Sequence, residues 1–321
     1  MKIGLVILLA ACSKKQEPAP TGSSAAGSAS TTDSAVGSAA TADSATAPVG
    51  PAALAARYDA CAAFWSTSAW TDYRGCFAAS AKAEDPGGPI ATGVDEVVAW
   101  SKPLKDALPD ARREPTLSLV NDHRLVAIDF VSGTQNEHKG GVLMAHLVEA
   151  DAAGKLVYDG EYYDLATLND QLGVAKADRA VRAAYDKAPL AKAVVVAKGD
   201  AAERANVEVV TKLWAAYDKH DATSVAAQLA TDLVWSAQAD AKDRTKAELV
   251  KSFQSSWRTF RDLAAPARTT WAADEYVIRA AVATSRAKQL EVPFLAIHRV
   301  VDGKVSAVWL FDQHLPAHDL P

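Results

Sequence analysis

The chain repeats itself once with a constant spacing of 152 residues, and this repeat limits its possible folds more than any other feature. Single residues recur at this spacing as the pairs Asp110 and Asp262, Asp122 and Asp274, and His146 and His298. In the same register, Glu96-Val97-Val98 aligns with Glu248-Leu249-Val250. A constant offset without gaps indicates a duplicated domain. We therefore expect two copies of one fold, at residues 51–173 and 201–321, with a linker at 174–200.

Each copy begins with helical periodicity and ends with alternating strands. The predicted long helices are Leu54–Ser66 and Asp95–Lys102 in the first copy and Ala201–Lys219 and Lys246–Phe260 in the second, each pair enclosing a short helix. The predicted strands are Glu114–Val120, Leu125–Val131, Val142–Glu149 and Leu156–Tyr163, then Ala267–Ala272, Tyr276–Thr284, Val292–Val301 and Val305–Phe311. Turns as short as Asn121-Asp122 and Asp302-Gly303 favour antiparallel pairing. The sequence therefore predicts an α+β fold.

The N-terminus predicts a processed and lipidated protein. Lys2 precedes an uncharged apolar run, Ile3–Leu9, and Leu9-Ala10-Ala11-Cys12 resembles the lipobox of bacterial lipoproteins. The run is shorter than the roughly 20 residues that a membrane-spanning helix needs, so residues 1–11 are interpreted as a signal peptide. The resemblance implies that acyl chains on Cys12 anchor the protein to a membrane. Ser13 follows the cysteine, which by the same resemblance favours the cell envelope, at the outer membrane of a Gram-negative bacterium.

Residues 12–50 are interpreted as a disordered tether. They are almost entirely Ala, Ser, Thr, Gly, Pro and Asp, and Val36 and Val49 are the only larger aliphatic residues after the first few positions. Such a stretch buries too little apolar surface to offset the entropy lost on ordering. An O-glycosylated stalk is the alternative that this composition permits.

Charge and motifs exclude several classes of function. The net charge is −5, and no block of basic residues occurs beyond Lys14-Lys15, which argues against nucleic-acid binding. No Gly-rich phosphate loop, CxxC pair or HExxH motif is present, so we expect no cofactor. Metal-type ligands cluster near the C-terminus, at Asp312, His314, His318 and Asp319. Pro316 lies between them, and we expect no metal site there.

Three segments of the first copy carry a family resemblance. They are Leu108-Pro109-Asp110, Gly154-Lys155-Leu156, and the tract that runs from Tyr162-Tyr163-Asp164-Leu165-Ala166-Thr167-Leu168 to Gln171-Leu172-Gly173. Together they resemble the SnoaL-like polyketide cyclase family, whose cone-shaped fold is shared with nuclear transport factor 2, ketosteroid isomerase and scytalone dehydratase. The second copy departs from this pattern where Phe311-Asp312-Gln313-His314-Leu315 replaces the closing helix. The resemblance implies two tandem cone-shaped domains, each with three N-terminal helices on a curved antiparallel sheet and an apolar pocket between them.

The resemblance also implies a catalytic acid near the end of the last strand. By position this acid is Asp164 in the first copy and Asp312 in the second. An apolar wall would raise the pKa of such a carboxyl group, so that it serves as a base at neutral pH. The side chains close enough in sequence to form such walls are Tyr158, Tyr162, Trp309 and Phe311. Asp164 also stands directly before Leu165 at a helix N-cap position, and the two roles are compatible.

The two repeated histidines are predicted to lie in the core or to line the pocket. His146 shares its strand face with Met144 and other apolar residues, and His298 has apolar neighbours of the same kind. Asp312 pairs too far along the strand from His298 for a hydrogen bond, which argues against a His–Asp pair with the predicted acids.

Cys61 and Cys76 are predicted to form a disulfide. Both lie in the first copy on successive helices, and a secreted compartment permits oxidation. Two buried free thiols are the alternative, because a disulfide needs Cα atoms within about 7 Å.

Two functions remain open. The first is binding of a small apolar molecule or a partner in the cone pockets, and the second is a cyclase-, isomerase- or hydrolase-type activity with Asp164 as general base. We favour binding, because no second catalytic group near Asp164 can be identified from the sequence. We also expect the two copies to pack together as a pseudo-dimer.

Overall fold

The protein is described by a computed structural model that covers residues 50–85 and 88–312. The predicted signal peptide, Cys12, nearly all of the predicted tether, and His314, His318 and Asp319 lie outside these described residues. Within them the chain forms two sheets and seven α-helices, which confirms the predicted α+β class.

The helices begin where the sequence offers capping groups. They are α1 Pro51–Ser66, α2 Trp70–Arg74, α3 Val94–Ala107, α4 Leu165–Gln171, α5 Ala201–Asp218, α6 Ala222–Gln228 and α7 Lys246–Thr259. Asp200 and Asp221 accept hydrogen bonds from backbone N–H groups in the first turns of α5 and α6. Thr245 and Glu248 form a reciprocal capping box at the start of α7. These caps satisfy N–H groups that lack partners within the helix.

The strands build two sheets around antiparallel hairpins. They are β1 Phe77–Glu84, β2 Ile90–Thr92, β3 Arg112–Asn121, β4 Arg124–Gln135, β5 His138–Ala150, β6 Leu156–Tyr162, β7 Ala193–Val196, β8 Leu229–Ala237, β9 Ala267–Ala273, β10 Tyr276–Ser285, β11 Leu290–Val301 and β12 Lys304–Asp312. The first sheet has the order β2-β1-β6-β5-β4-β3-β7 and the second has the order β8-β12-β11-β10-β9. The predicted antiparallel pairing is confirmed for β3 to β6 and for β9 to β12.

Four strands were not predicted. β1 and β8 pair in parallel with β6 and β12, and β2 forms a hairpin with β1. β1 is rich in alanine, so the contrast between its two faces is weak in the sequence. β7 lies within the segment interpreted as a linker and pairs in parallel with β3 at the edge of the first sheet. Part of residues 174–200 is therefore built into a sheet.

Each sheet is covered by helices on one face and by the other sheet on its second face. Leu54 of α1 and Val97 of α3 pack on one face of the first sheet, and Leu213 of α5 and Leu249 of α7 pack on one face of the second. The remaining faces meet in a shared core, termed here the inter-sheet core. Its buried members are Leu117, Leu119, Val126, Ile128, Phe130, Leu143, Ala145, Tyr162, Trp271, Ala273, Ile278, Ala280, Leu295, Ile297 and Phe311.

The predicted disulfide is confirmed. Cys61 of α1 and Cys76, just after α2, are bonded, with their Cα atoms 6.0 Å apart. Both residues are buried in the core between the helices and the first sheet.

Reduction of this disulfide is expected to lower the free energy of unfolding by about 3 kcal/mol, because the bond closes a 15-residue loop and restricts the unfolded chain. Urea unfolding with and without reductant measures the change. In the double variant Cys61→Ser, Cys76→Ser, reductant should change the free energy of unfolding by no more than the error of the measurement. A wild-type transition that reductant leaves in place, with both thiols proven free, would contradict the expectation.

Candidate functional site

The C-terminal half contains a cavity of about 480 Å³ between its helices and its sheet, termed here the aromatic cavity. α5 and α7 form one wall, and β8, β11 and β12 contribute to the other. Its aromatic lining residues are Trp214, Tyr217, Trp235, Phe253 and Phe294. Small and aliphatic residues complete the wall, among them Ala265, Ala283 and Leu310. A cavity of this size and lining suits a small, largely apolar molecule.

Contacts among the aromatic rings hold the wall in place. Trp214 and Tyr217 are three residues apart on α5 and therefore share a helix face. The Tyr217 and Phe253 rings meet edge to face, with centroids 4.8 Å apart. Trp214 Nε1 donates a hydrogen bond to His298 Nε2 at 3.0 Å, so the indole orientation is set from the sheet. The aromatic wall is pre-organised by packing on both sides.

Charged groups stand at one end of the aromatic cavity. Asp240 and Arg244 form an ion pair, and Arg244 also donates to the Ser252 hydroxyl. Arg179, from the segment before β7, donates from Nε to the Ala239 carbonyl at 3.1 Å. The segment interpreted as a linker thus supplies part of the cavity lining.

Asp312, one of the two acids expected from the sequence, lines the aromatic cavity at the end of β12. The pKa of Asp312 is raised to about 7. Burial is the main cause, and the neighbouring carboxylates Asp164 and Asp240 add to it. Arg179 acts in the opposite direction and lowers the pKa. Its Oδ1 is buried and has no hydrogen-bond partner among the described residues. The carboxyl group is therefore available to a bound molecule, and near neutral pH it exchanges a proton.

Asp164, the other expected acid, serves as the N-cap of α4. Its Oδ2 accepts a hydrogen bond from the Thr167 backbone N–H at 3.1 Å, and the Thr167 hydroxyl and the Arg179 guanidinium contact the same oxygen. The side chain is buried and does not line the aromatic cavity. The N-cap role foreseen for Asp164 is confirmed, and its charge is paired with Arg179.

Three residues expected in the pocket walls lie on the opposite face of their strands. Leu310 and Asp312 face the aromatic cavity, so Trp309 and Phe311, at alternate positions, face the inter-sheet core. Tyr162 is buried in the same core. The assignment of these three aromatic residues to the pocket is corrected accordingly. Tyr158 is half-buried, and its hydroxyl donates to Glu84 Oε1 at 2.7 Å.

In the N-terminal half, polar side chains occupy the space between α1 and the sheet. They form what is termed here the buried charge cluster: Tyr58, Arg113, Asp129, His146, Asp159 and Glu161. Arg113 Nε donates to Asp129 Oδ2 at 3.1 Å, and Tyr58 Oη donates to the same oxygen at 2.9 Å. Arg113 also donates to Tyr58 Oη at 2.8 Å. The two halves thus fill equivalent spaces with opposite chemistry.

His146 is buried, as predicted, on a strand face that it shares with Met144, and it lies at the centre of this cluster. Its Nδ1 lies 2.9 Å from Asp159 Oδ1, a pairing that was not predicted from the sequence. Burial and Arg113 lower the pKa of His146, but the carboxylates Asp159, Glu161 and Asp129 outweigh them and raise it. Met144, expected beside it, is buried in the core under the helices. A signal was present in the sequence, because Asp159 and Glu161 alternate on one face of β6.

His298, 152 residues after His146, is buried, and no carboxylate of the described residues pairs with it. Its Nδ1 lies 3.1 Å from the Val277 carbonyl, and its Nε2 accepts from Trp214. The ring is therefore a neutral tautomer that donates through Nδ1. Burial lowers the pKa of His298 to about 3. This histidine supports the aromatic wall from behind.

Comparison with protein families finds one match. The SnoaL-like domain family matches residues 210–308, in the C-terminal half, which contains the aromatic cavity. A comparison with curated proteins finds no match.

Solved structures of similar fold each cover about a third of the chain. A protein with a ketosteroid isomerase-like fold from Catenulispora acidiphila is 20% identical and covers 37% of this chain and 93% of its own, with a TM-score of 0.35. IdmH from Streptomyces antibioticus is 17% identical over 33% of this chain and 91% of its own, with a TM-score of 0.31. A protein from Cytophaga hutchinsonii, described as similar to nuclear transport factor 2, is 6% identical over 34% of this chain and 89% of its own, with a TM-score of 0.29. Residues 210–308 of this chain form a SnoaL-like domain.

Proposed function

We propose that the protein is a lipid-anchored envelope protein that binds a small apolar molecule in the aromatic cavity. The observation that carries this proposal is the cavity itself, about 480 Å³ in volume with five aromatic side chains in its lining. Ligand sites are commonly concave, mostly apolar and about 300–1,000 Å³ in volume, with a few polar groups that orient the ligand. Asp312 and the paired charges at one end match that description.

The proposal includes two tandem cone-shaped SnoaL-like domains, at residues 51–173 and 201–321. The repeated His146 and His298, buried on equivalent strands β5 and β11, support the duplication. The inter-sheet core supports a pseudo-dimer, because each sheet contributes one apolar face to it. In this arrangement the C-terminal half offers the aromatic cavity, and the buried charge cluster lies between α1 and the sheet of the N-terminal half.

Ala283→Trp is expected to weaken ligand binding at least tenfold, because an indole at this lining position fills the cavity. The probe is N-phenyl-1-naphthylamine, a neutral apolar dye whose fluorescence rises on binding. Val234→Trp is the matched control. Val234 lies on β8 and is 47% exposed, so the new indole is added outside the cavity. Near-ultraviolet circular dichroism confirms that both variants are folded. Equal dye affinity in the folded Ala283→Trp variant and the wild type would contradict the proposal.

A second candidate function is catalysis, with cyclase-, isomerase- or hydrolase-type proton abstraction. The observation that favours it is the Asp312 carboxyl group, whose pKa is raised to about 7 in the cavity wall. Asp164, the base expected from the sequence, is less suited, because Thr167 and Arg179 occupy its Oδ2. On an activated polycyclic ketone or ester, Asp312→Asn should then lose about 10²- to 10⁴-fold in turnover and still bind the dye. Asp232→Asn, at an exposed position of β8 outside the cavity lining, is the matched control.

The proposed anchor is the acylated Cys12, which places the protein at the outer membrane of a Gram-negative bacterium. In the described part of the chain, no helix combines the length and hydropathy needed to cross a membrane. Cys12→Ala is expected to remove the acyl mass and release the protein from the membrane fraction, because each buried CH₂ of an acyl chain contributes about 0.8 kcal/mol to anchoring. Mass spectrometry of the purified protein and fractionation measure both effects. A lipid mass retained by the variant would refute the assignment.

A further inference from the structure

We propose that His146, Asp159 and Glu161 of the buried charge cluster form a binding site for a divalent transition-metal ion of the Zn²⁺ type. One ligand atom from each residue lies within 4.8 Å of the other two. These residues lie on the neighbouring strands β5 and β6, where His146 pairs directly with Glu161. The site is separate from the aromatic cavity and from the acids Asp164 and Asp312.

The spacing of the ligand atoms fits a small metal ion. His146 Nδ1 lies 2.9 Å from Asp159 Oδ1 and 3.8 Å from Glu161 Oε1. In a tetrahedral zinc site with bonds of about 2.1 Å, neighbouring ligand atoms are about 3.4 Å apart. The two observed distances lie on either side of that value, so small side-chain rotations bring the atoms to metal-binding positions.

The charges of the cluster favour a bound dication. Three carboxylates, Asp129, Asp159 and Glu161, face one permanent cation, Arg113. With a neutral His146, a dication would bring the formal charge of the cluster to zero. Buried charge that lacks a counter-charge is costly, since the interior solvates ions poorly. Arg113 is engaged with Asp129 at 3.1 Å and with Glu161 at 3.7 Å, and the direct partner of Asp159 is His146, at 2.9 Å.

Two orphaned polar atoms point to the same arrangement. His146 Nε2 and Asp129 Oδ1 are buried without a hydrogen-bond partner among the described residues, and both side chains are 0% exposed. A metal on Nδ1 would leave the ring proton on Nε2, which lies 3.6 Å from Asp129 Oδ2. Metal-bound histidines usually donate their second ring N–H to such a carboxylate. Asp129 therefore occupies the position of an orienting partner for a metal-bound imidazole.

Access to the site is on the Glu161 side. The Glu161 side chain is 13% exposed, and those of His146 and Asp159 are at most 3% exposed. Three protein ligands leave at least one coordination position open on a four-coordinate ion. An ion can thus enter past Glu161 and keep a water molecule on that side.

The equivalent histidine of the C-terminal half provides an internal control. His298 is equally buried, but its two ring nitrogens are used by Trp214 and by the Val277 carbonyl. Its strand partner on β12 is Val308, where His146 has Glu161. His298 therefore lacks the ligand set, and its replacement should leave metal binding unchanged.

The test is a Co²⁺ titration of the metal-free, untagged full-length protein in detergent, followed by visible absorption and by metal analysis after gel filtration. We expect one Co²⁺ per chain, displaced by Zn²⁺. Glu161→Gln should lower the association constant for Co²⁺ at least tenfold, and so should His146→Gln. Glutamine is nearly isosteric with glutamate, and Glu161 lies at the accessible edge of the site. His298→Gln should bind as the wild type does.

Three results would overturn the proposal. The first is failure of the wild-type protein to bind Co²⁺ stoichiometrically, a measurement that needs no variant to fold. The second is unchanged affinity in folded Glu161→Gln. The third is loss of binding in the double variant His314→Ala, His318→Ala, which would assign the ion to the C-terminal residues instead.

Discussion

Asp129→Ala is expected to lower the free energy of unfolding by about 3–5 kcal/mol, because it leaves the Arg113 guanidinium buried without its nearest counter-charge. The Arg113 side chain is 5% exposed and that of Asp129 is 0% exposed, with Arg113 Nε 3.1 Å from Asp129 Oδ2. The same substitution removes the acceptor of the Tyr58 hydroxyl. Urea unfolding followed by tryptophan fluorescence measures the loss.

Two further variants separate charge from packing. The double variant Arg113→Met, Asp129→Leu should recover only part of the loss, because it removes the unpaired guanidinium but also takes the Arg113 partner away from Glu161. Arg74→Ala is the matched control, because its ion pair with Asp95 is exposed to solvent and such surface pairs contribute little to stability. If Asp129→Ala proves as mild as Arg74→Ala, the cluster does not contribute to stability in this way.

Acidification is expected to destabilise the C-terminal half through His298. The folded pKa of this histidine is about 3, against 6.5 for the ordinary side chain, so between these values the unfolded state binds a proton that the folded state does not. Its contribution to stability is therefore full above pH 6.5 and is lost as the pH falls towards 3, by about 1.4 kcal/mol per pH unit. From pH 7.5 to 4.5 this single group would remove about 3 kcal/mol.

His298→Gln isolates that contribution. Glutamine does not titrate, and it can accept from Trp214 Nε1 and donate to the Val277 carbonyl as the neutral imidazole does. The loss of unfolding free energy between pH 7.5 and 4.5 should therefore be smaller in the variant than in the wild type by about 3 kcal/mol. His123→Gln, at an exposed histidine, should behave as the wild type. If the free energy of unfolding falls with pH equally in the wild type and in His298→Gln, the buried ring does not cause the loss of stability at low pH.

The two halves have different interiors between their helices and their sheets. His146 and His298 are equally buried on equivalent strands, but carboxylates surround the first and Trp214 supports the second. Charged side chains must satisfy one another once they are removed from water, so the first interior closes on itself. In the second interior the aromatic rings pack against one another along the walls and leave the aromatic cavity between helices and sheet.

The sequence by itself determined the long helices and the hairpin strands, because local chemistry governs them. Asp200 and Thr245 mark the starts of α5 and α7 through their capping groups. Alternation and short turns located the eight hairpin strands. The expected secreted compartment and the even number of cysteines after Cys12 indicated the disulfide between Cys61 and Cys76.

Only the tertiary structure decided which side chains meet. An alternating pattern shows that a strand has two faces, but it does not show which face lies against helices. For this reason Trp309 and Phe311 were expected in the pocket and lie in the inter-sheet core. The partners of His146 depend on the register of β5 with β6, which brings Glu161 opposite it across the sheet. Contacts between strands are set by pairing over long separations, and no local pattern in the chain encodes them.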